Sequence, residues 1–390
     1  VNLAKRRGIA ESGAMKTTAL LAALLLAACA TAPAPSRLPA AVALDDAVRS
    51  ATVVFYGEAH DDRRQHEYER ELLGEIAAAA PPGTPVLVGM EMFQRPFQQP
   101  LDDYCAGRID EKEMLRRTEY FKRWNFDWTF YAPLWRWCRE HGGRVVALNA
   151  EASITAKIRR EGLAKLTPDE RSQVAADVDL GNAAHRERIL AVLKNHPMQP
   201  GQIENYYEAM TVWDETMADS AADALAAAGT GARMLVVAGR GHVEDGTGIP
   251  DRLERRRPGL RRAVVVGDTA ESVETPAVVH AAGQFVVAFP DREDEPPPRL
   301  GIAFDEPPGR EGLVVKSVVE GGSAATAGVA AGDVLLRLGD AALYDMTDVR
   351  YAVDVAKSGD VVTATGLRDG APVSFRITLA PLPAGPAQKP

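Results

Sequence analysis

Four short motifs hold the residues whose types suit chemistry: Gly57-Glu58-Ala59-His60, Gly89-Met90-Glu91, Asn149-Ala150-Glu151 and Gly239-Arg240-Gly241-His242. Each follows directly on an apolar run. Histidine changes charge closest to neutral pH. His60, Glu91 and His242 are of the types that bind a divalent metal, and a set of two histidines and one carboxylate leaves coordination positions open for water. Without a metal, His60 is placed to act as a general base held by Glu58 or Glu91. The two histidines lie far apart in the chain, unlike the compact H-E-x-x-H pattern, so only the fold can bring them together.

The elements that must do so are legible. The runs 52–56, 86–88, 145–148, 234–238 and 263–266 are short, β-branched and apolar on both faces, as buried parallel strands are. Helical patterns cover 62–80, 110–121, 131–141, 151–164, 168–195 and 202–228. The expected class is α/β: a mainly parallel sheet flanked by helices, with a large helical insertion between the third and fourth strands. In such sheets the carboxyl ends of the strands line the ligand crevice. Glu58, His60, Glu91, Asn149 and His242 are therefore expected in one pocket, where burial without partners is costly. Asp214 and Glu215 fall on the helix at 205–227, facing either that pocket or solvent. Arg186 and Arg188 suit either an anionic group or a solvated face. The segment 121–137 supplies four of the five tryptophans and reads either as an aromatic ligand wall or as an amphipathic helix over the sheet. The basic stretch 251–262 reads as a solvated helix and turn.

The net charge of −9 gives no sign of nucleic-acid binding. Lys5, Arg6, Arg7 and Lys16 precede an apolar run at 19–28 that ends in Leu26-Ala27-Ala28-Cys29. A charged start, a short apolar stretch and small residues at the cleavage point describe a secretory signal over 1–28, too short to span a membrane. Met15 is the expected start of translation. The run ending at Cys29 resembles a bacterial lipobox, which implies lipidation of Cys29 and a membrane-tethered envelope protein. Ala30 after that cysteine points to an outer membrane. Residues 29–44 then read as a proline-rich tether, 45–290 as the α/β domain, 291–298 as an extended linker, 299–380 as a second domain and 381–390 as a tail. Cys105 and Cys138 lack motif spacing and are expected singly buried.

The motifs GEAH at 57–60, MEMFQRPFQ at 90–98, LDDYCAGRID at 101–110, ALNAE at 147–151, WDETMA at 213–218 and GRGH at 239–242 resemble the ChaN-like haem-binding uptake lipoproteins over about residues 45–270. The resemblance implies haem or an iron complex as ligand, a role in iron or haem uptake, and a homodimer, since a dimeric member holds haem between subunits. A haem iron takes His or Tyr as axial ligand; Tyr104, Tyr131, Tyr206 and Tyr207 are the candidates. The related erythromycin-esterase and Tiki/TraB proteins build hydrolytic sites from paired Gly-x-x-His motifs and a Glu. A metal-dependent esterase or peptidase is thus the alternative, with His60, Glu91 and His242 as catalytic or metal-binding residues.

The run SAATAGVAAGDVL at 323–335 resembles a bacterial PDZ domain. In physical terms, Ser323 opens a short helix, Gly328 ends it, and Gly332-Asp333 turns into a strand. Asp369-Gly370 is a hairpin signal between strands at 361–367 and 371–379. The resemblance implies a module that captures an extended peptide or protein C-terminus on its sheet edge. The backbone of Leu300-Gly301-Ile302 would face the carboxylate, and a helix at 347–357 would wall the side-chain pocket. A third role for the whole chain is a scaffold acting through this module.

Overall fold

The computed structural model describes residues 39–124, 126–193, 200–291, 295–305 and 311–383. The signal at 1–28, Cys29 and the tether up to residue 38 lie outside them; residues 39–44, expected to belong to the tether, open a helix instead.

Helix α1 (Pro39–Ser50) leads into β1 (Val53–Glu58) and α2 (Arg63–Ala78). Strand β2 (Val86–Gln94) is followed by α3 (Gln98–Cys105), α4 (Glu111–Arg117), α5 (Tyr120–Arg123) and α6 (Trp128–His141). After β3 (Arg144–Asn149) come α7 (Ala152–Glu161), α8 (Pro168–Ser172), α9 (Ala183–Leu193) and the long α10 (Pro200–Ala228). Strand β4 (Arg233–Gly239) turns through α11 (Arg240–Val243) into α12 (Ile249–Arg256), then β5 (Arg262–Ala270), β6 (Ala277–Ala281) and β7 (Gln284–Pro290). These seven strands form one sheet in the order β3-β2-β4-β1-β5-β7-β6, parallel except for β6. Alternate residues of each central strand face opposite layers. Val54, Tyr56, Leu235 and Val237 pack with Leu72, Leu73 and Trp135 from α2 and α6. Val53, Phe55, Met234 and Val236 pack with Met217, Leu225 and Leu253 from α10 and α12. Both faces are dry, which is why these strands read as unbroken apolar runs.

Three further expectations need correction, and one hairpin lies outside them. The helix expected at 168–195 is two helices. Thr167 and Glu170 form a capping box that starts α8. Asp179 then accepts from the Gly181 N–H and Asn182 from the His185 N–H, restarting the chain as α9. The helix expected at 110–121 breaks at Glu119, whose φ of 52° is left-handed. The second strand does not stop at Val88 but runs to Gln94, with a register shift after Met90, so Glu91 sits inside the strand rather than after it. The hairpin of β6 and β7 was not anticipated. Its turn, Ala282-Gly283, has positive φ at both residues, the geometry that hairpin twist favours, and β6 is an edge strand with no buried residue although four of its five residues, AVVHA, are apolar.

The C-terminal module contains β8 (Ile302–Asp305), β9 (Leu313–Val318), α13 (Ser323–Thr326), β10 (Val334–Leu338), β11 (Ala341–Ala342), α14 (Met346–Val353), β12 (Val361–Arg368) and β13 (Ala371–Thr378). Its antiparallel sheet runs β13-β12-β10-β9-β8, with β11 beside β10, so β8 is an edge. Leu300, Leu313, Leu335, Val349, Val353 and Ile377 form its core. Helix α14 also meets the α/β domain: the Arg116 guanidinium pairs with Asp345 at 2.8 Å and Asp348 at 2.7 Å, and Tyr351 stacks on Trp128. Cys105 and Cys138 are free thiols. Among the described residues no helix is long and apolar enough to cross a membrane.

Candidate functional site

Strand pairing builds the site. Glu58, the last residue of β1, is level with Gly239, the last of β4. On the other side of β4, Met90 of β2 is level with Val237. The two Gly-x-x-His turns therefore leave the sheet side by side, with Glu91 next to both. Gly239 is required by this closeness: a Cβ there would lie 2.8 Å from His60 Nε2 and 3.5 Å from Glu91 Oε2.

Each histidine is braced through Nδ1 by a buried carboxylate. His60 Nδ1 is 2.8 Å from Glu58 Oε1, and His242 Nδ1 is 2.5 Å from Asp214 Oδ1. The Nε2 of His242 faces Glu91 Oε1 at 3.5 Å. The other Glu91 oxygen accepts from the Gly239 N–H at 2.7 Å. Asn149 donates from its side-chain amide to the Glu91 carbonyl at 2.9 Å, which ties the end of β3 to β2 beside the site. Glu58, Glu91, Asp214 and His242 are buried, whereas a quarter of the His60 side chain (26%) is exposed and marks the solvent side. Burial alone would depress the pKa of His242, but Glu91 and Asp214 raise it to about 9. Burial likewise works to depress that of His60, and the hydrogen bond to Glu58 and the charge of Glu91 outweigh it, so it too is raised. Burial, with Glu69 nearby, pushes Glu58 up to about 7. Two oriented imidazoles over one carboxylate can hold and move protons at their Nε2 atoms.

The aromatic segment forms the outer wall. The rings of Trp124 and Phe126 each lie 4.8 Å from His60. The Tyr131 hydroxyl donates to Glu58 Oε1 at 3.0 Å. Trp213 of α10 lies 5.2 Å from His242 and lines a cleft of about 300 Å³ with Tyr206, Met210 and Arg159. Of the four tyrosines, Tyr104, Tyr131 and Tyr207 are buried, and Tyr207 donates to the Leu180 carbonyl. Tyr206 is partly exposed. Glu215, buried, is held by Arg252, Arg255 and Arg256 rather than facing the pocket. Arg186 pairs with Glu204, and Arg188 donates to Thr247.

Three residues around the site were missed by sequence reasoning: His66, Glu69 and His185. His66 and Glu69 are buried on the inner face of α2 with Leu72, Leu73 and Ile76. Their signal was present, since 65, 66, 69, 72, 73 and 76 follow one helical face on which polar residues stand in core positions. His185, buried on α9, lies 3.6 Å from Asp214; nothing in its spacing announced this.

Comparison with known proteins follows the same division. The family described as "Haem-binding uptake, Tiki superfamily, ChaN" matches residues 44–253, and a PDZ domain matches residues 298–379. Among curated proteins, the chain is 27% identical over 233 residues to Protein RETICULATA-RELATED 5, chloroplastic, of Arabidopsis thaliana, covering 56% of this chain and 31% of that one. It is 41% identical over 69 residues to the serine protease Do-like HtrA of Lactococcus lactis, covering 18% of this chain and 17% of that one. The chain thus spans less than a third of the curated relatives it matches. A solved structure, "Cofacial heme binding to ChaN of Campylobacter jejuni", has 15% identity and a TM-score of 0.49, covering 64% of this chain and 91% of that one.

Proposed function

The chain belongs to the haem-binding uptake ChaN family of the Tiki superfamily, and on that premise we propose that its α/β domain binds haem or an iron complex during uptake. The observation that carries the reading furthest is the cleft beside His242, where Tyr206 is the one partly exposed tyrosine of the four candidates. A phenolate is a known axial ligand of haem iron. The residues present fit such a group: Met210 and Trp213 give apolar walls, Arg159 offers a cation for a propionate, and the indole N–H of Trp213 is without a hydrogen-bond partner. When bound, haem would supply the iron; the chain would supply Tyr206, the walls and the charge, and a second copy in a homodimer would cover the open side. Haemin titrated into the full chain should give a shifted Soret band that saturates near one equivalent, and Tyr206→Phe should weaken it. An unshifted band overturns the reading.

The wider proposal is an envelope lipoprotein, tethered through lipid on Cys29 to the outer membrane, whose 299–380 domain captures a peptide or protein C-terminus. Fatty-acid labelling that persists in Cys29→Ala would count against the tether.

A specific geometry supports a second reading, hydrolysis. His60 and His242 are each braced by a carboxylate, His242 faces Glu91, and the charge of Glu91 is felt at His60, an arrangement richer than haem binding needs. Ester or peptide turnover lost in both His60→Gln and His242→Gln is the expected result of that reading.

A further inference from the structure

Behind His60 lies a second polar cluster, of which the hydrolytic reading uses only Glu58, as the brace of His60. Glu58, His66 and Glu69 are all buried, and among the described residues they form the group whose potential ligand atoms all lie within 4.8 Å of one another. His66 and Glu69 are three residues apart on α2, which places them on one face. His66 Nδ1 is 3.0 Å from Glu58 Oε2 and 3.2 Å from Glu69. One imidazole nitrogen can serve only one of two carboxylates. Glu58 Oε2, Glu69 Oε1 and the nearby Tyr56 hydroxyl are left buried without a hydrogen bond, a state that ordinarily destabilises a fold. The second nitrogen of His66 lies 3.2 Å from the His60 backbone oxygen, the kind of outer partner that metal-bound imidazoles keep. The remaining oxygen of Glu58 is occupied by Tyr131 and His60.

We propose that Glu58, His66 and Glu69 hold a divalent cation of the zinc or manganese class, one layer behind His60. One imidazole and two carboxylates are a donor set that such ions accept, and a double positive charge offsets two carboxylates enclosed together. Because the ion would fix Glu58, and Glu58 orients His60, it acts by positioning and touches no ligand. The site is independent of haem binding and lies apart from the outer set of His60, Glu91 and His242.

The full chain, refolded in chelator and then given Zn²⁺ or Mn²⁺ alone and desalted, should retain about one ion per chain. His66→Gln and Glu69→Gln should lower affinity about tenfold or more, with His242→Gln unchanged. The metal should raise Tm in the wild type but not in Glu69→Gln. X-ray absorption on the loaded wild type needs no variant, and should show one imidazole in the shell. No retained metal overturns the proposal. So does a two-imidazole shell, or metal kept in Glu69→Gln and lost in His242→Gln, either of which would place the ion at the outer set. Haemin titration, run in parallel, reports on the haem reading alone.

Discussion

His242 and Asp214 come from elements that meet only in the folded chain, yet their Nδ1 and Oδ1 atoms are 2.5 Å apart. Asp214 is the seat of this relationship: it is buried on α10, its pKa stays depressed because the charge of His242 outweighs its own burial, and His185 approaches it from the other side. The imidazole is thus held between two buried carboxylates, Asp214 and Glu91.

The pH dependence follows. The folded pKa of His242 is about 9, above the ordinary 6.5. The folded state therefore binds more protons across that interval, and stability falls as pH rises. The contribution is fully present below about pH 6.5 and is lost as pH passes through about 9. Thermal unfolding from pH 6 to 10 should show a steeper fall in Tm for the wild type than for His242→Gln. Parallel curves would remove the imidazolium from this pair.

A second expectation concerns Tyr131. Its hydroxyl donates to Glu58 inside the core, so Tyr131→Phe removes one buried hydrogen bond without creating a large cavity. The expected loss is about 1 kcal/mol in urea unfolding. Tyr206→Phe, at a partly exposed cleft, should stay within about 0.5 kcal/mol. Equal losses would mean that the Glu58 contact contributes nothing specific.

Much of this was readable in the chain, for physical reasons that differ by element. The central strands announced themselves because burial on both faces demands continuous apolar runs, and the strand-end rule then gathered Glu58, Glu91 and His242. The bracing of His242 by Asp214 was only half legible, because a carboxylate on an amphipathic helix looks the same whether it faces a pocket or water. Glu215, one residue on, went to an arginine cluster instead. The split of α8 from α9 was hidden because it rests on the side chains of Asp179 and Asn182, which accept backbone N–H groups between the two helices, rather than on a proline there. Strands β6 and β7 carry apolar runs, AVVHA and QFVVAFP, so the hairpin was legible in the chain although β6 has no buried residue.

The contact between the two domains gives a third prediction. Trp128 and Tyr351 stack with centroids 5.0 Å apart, the Tyr351 hydroxyl reaches Glu111, and Lys112 and Arg116 pair with Asp348. Helix α14, expected to wall the peptide groove, is therefore held by the same aromatic segment whose Trp124 and Phe126 pack on His60. Tyr351→Ala with Arg116→Ala should open this contact. Each 1.4 kcal/mol lost raises the open population about tenfold, and protease cutting of the stretch at 291–299 should speed up in proportion. Unchanged cutting would mean that the docking contributes little.

The last prediction concerns Gly301, where the structure alters the choice of test. Its φ is +73°, in the left-handed region, whereas proline fixes φ near −65°. Gly301→Pro therefore strains the loop itself, and loss of peptide binding in that variant would not report on the carboxylate alone. Gly301→Ala is milder: the left-handed conformation costs about 1–2 kcal/mol, and the new Cβ would meet Leu382 Cδ2 at 3.1 Å. Peptides with a free apolar C-terminus, added as a strand along β8, should bind the wild type and lose about tenfold in Gly301→Ala, where the loop shifts to relieve its strain and misaligns the backbone N–H groups that face the carboxylate. The same peptides amidated at the C-terminus should bind poorly to both. Fluorescence anisotropy separates the cases, because a groove that reads only side chains would hold the amidated peptide as well as the free one.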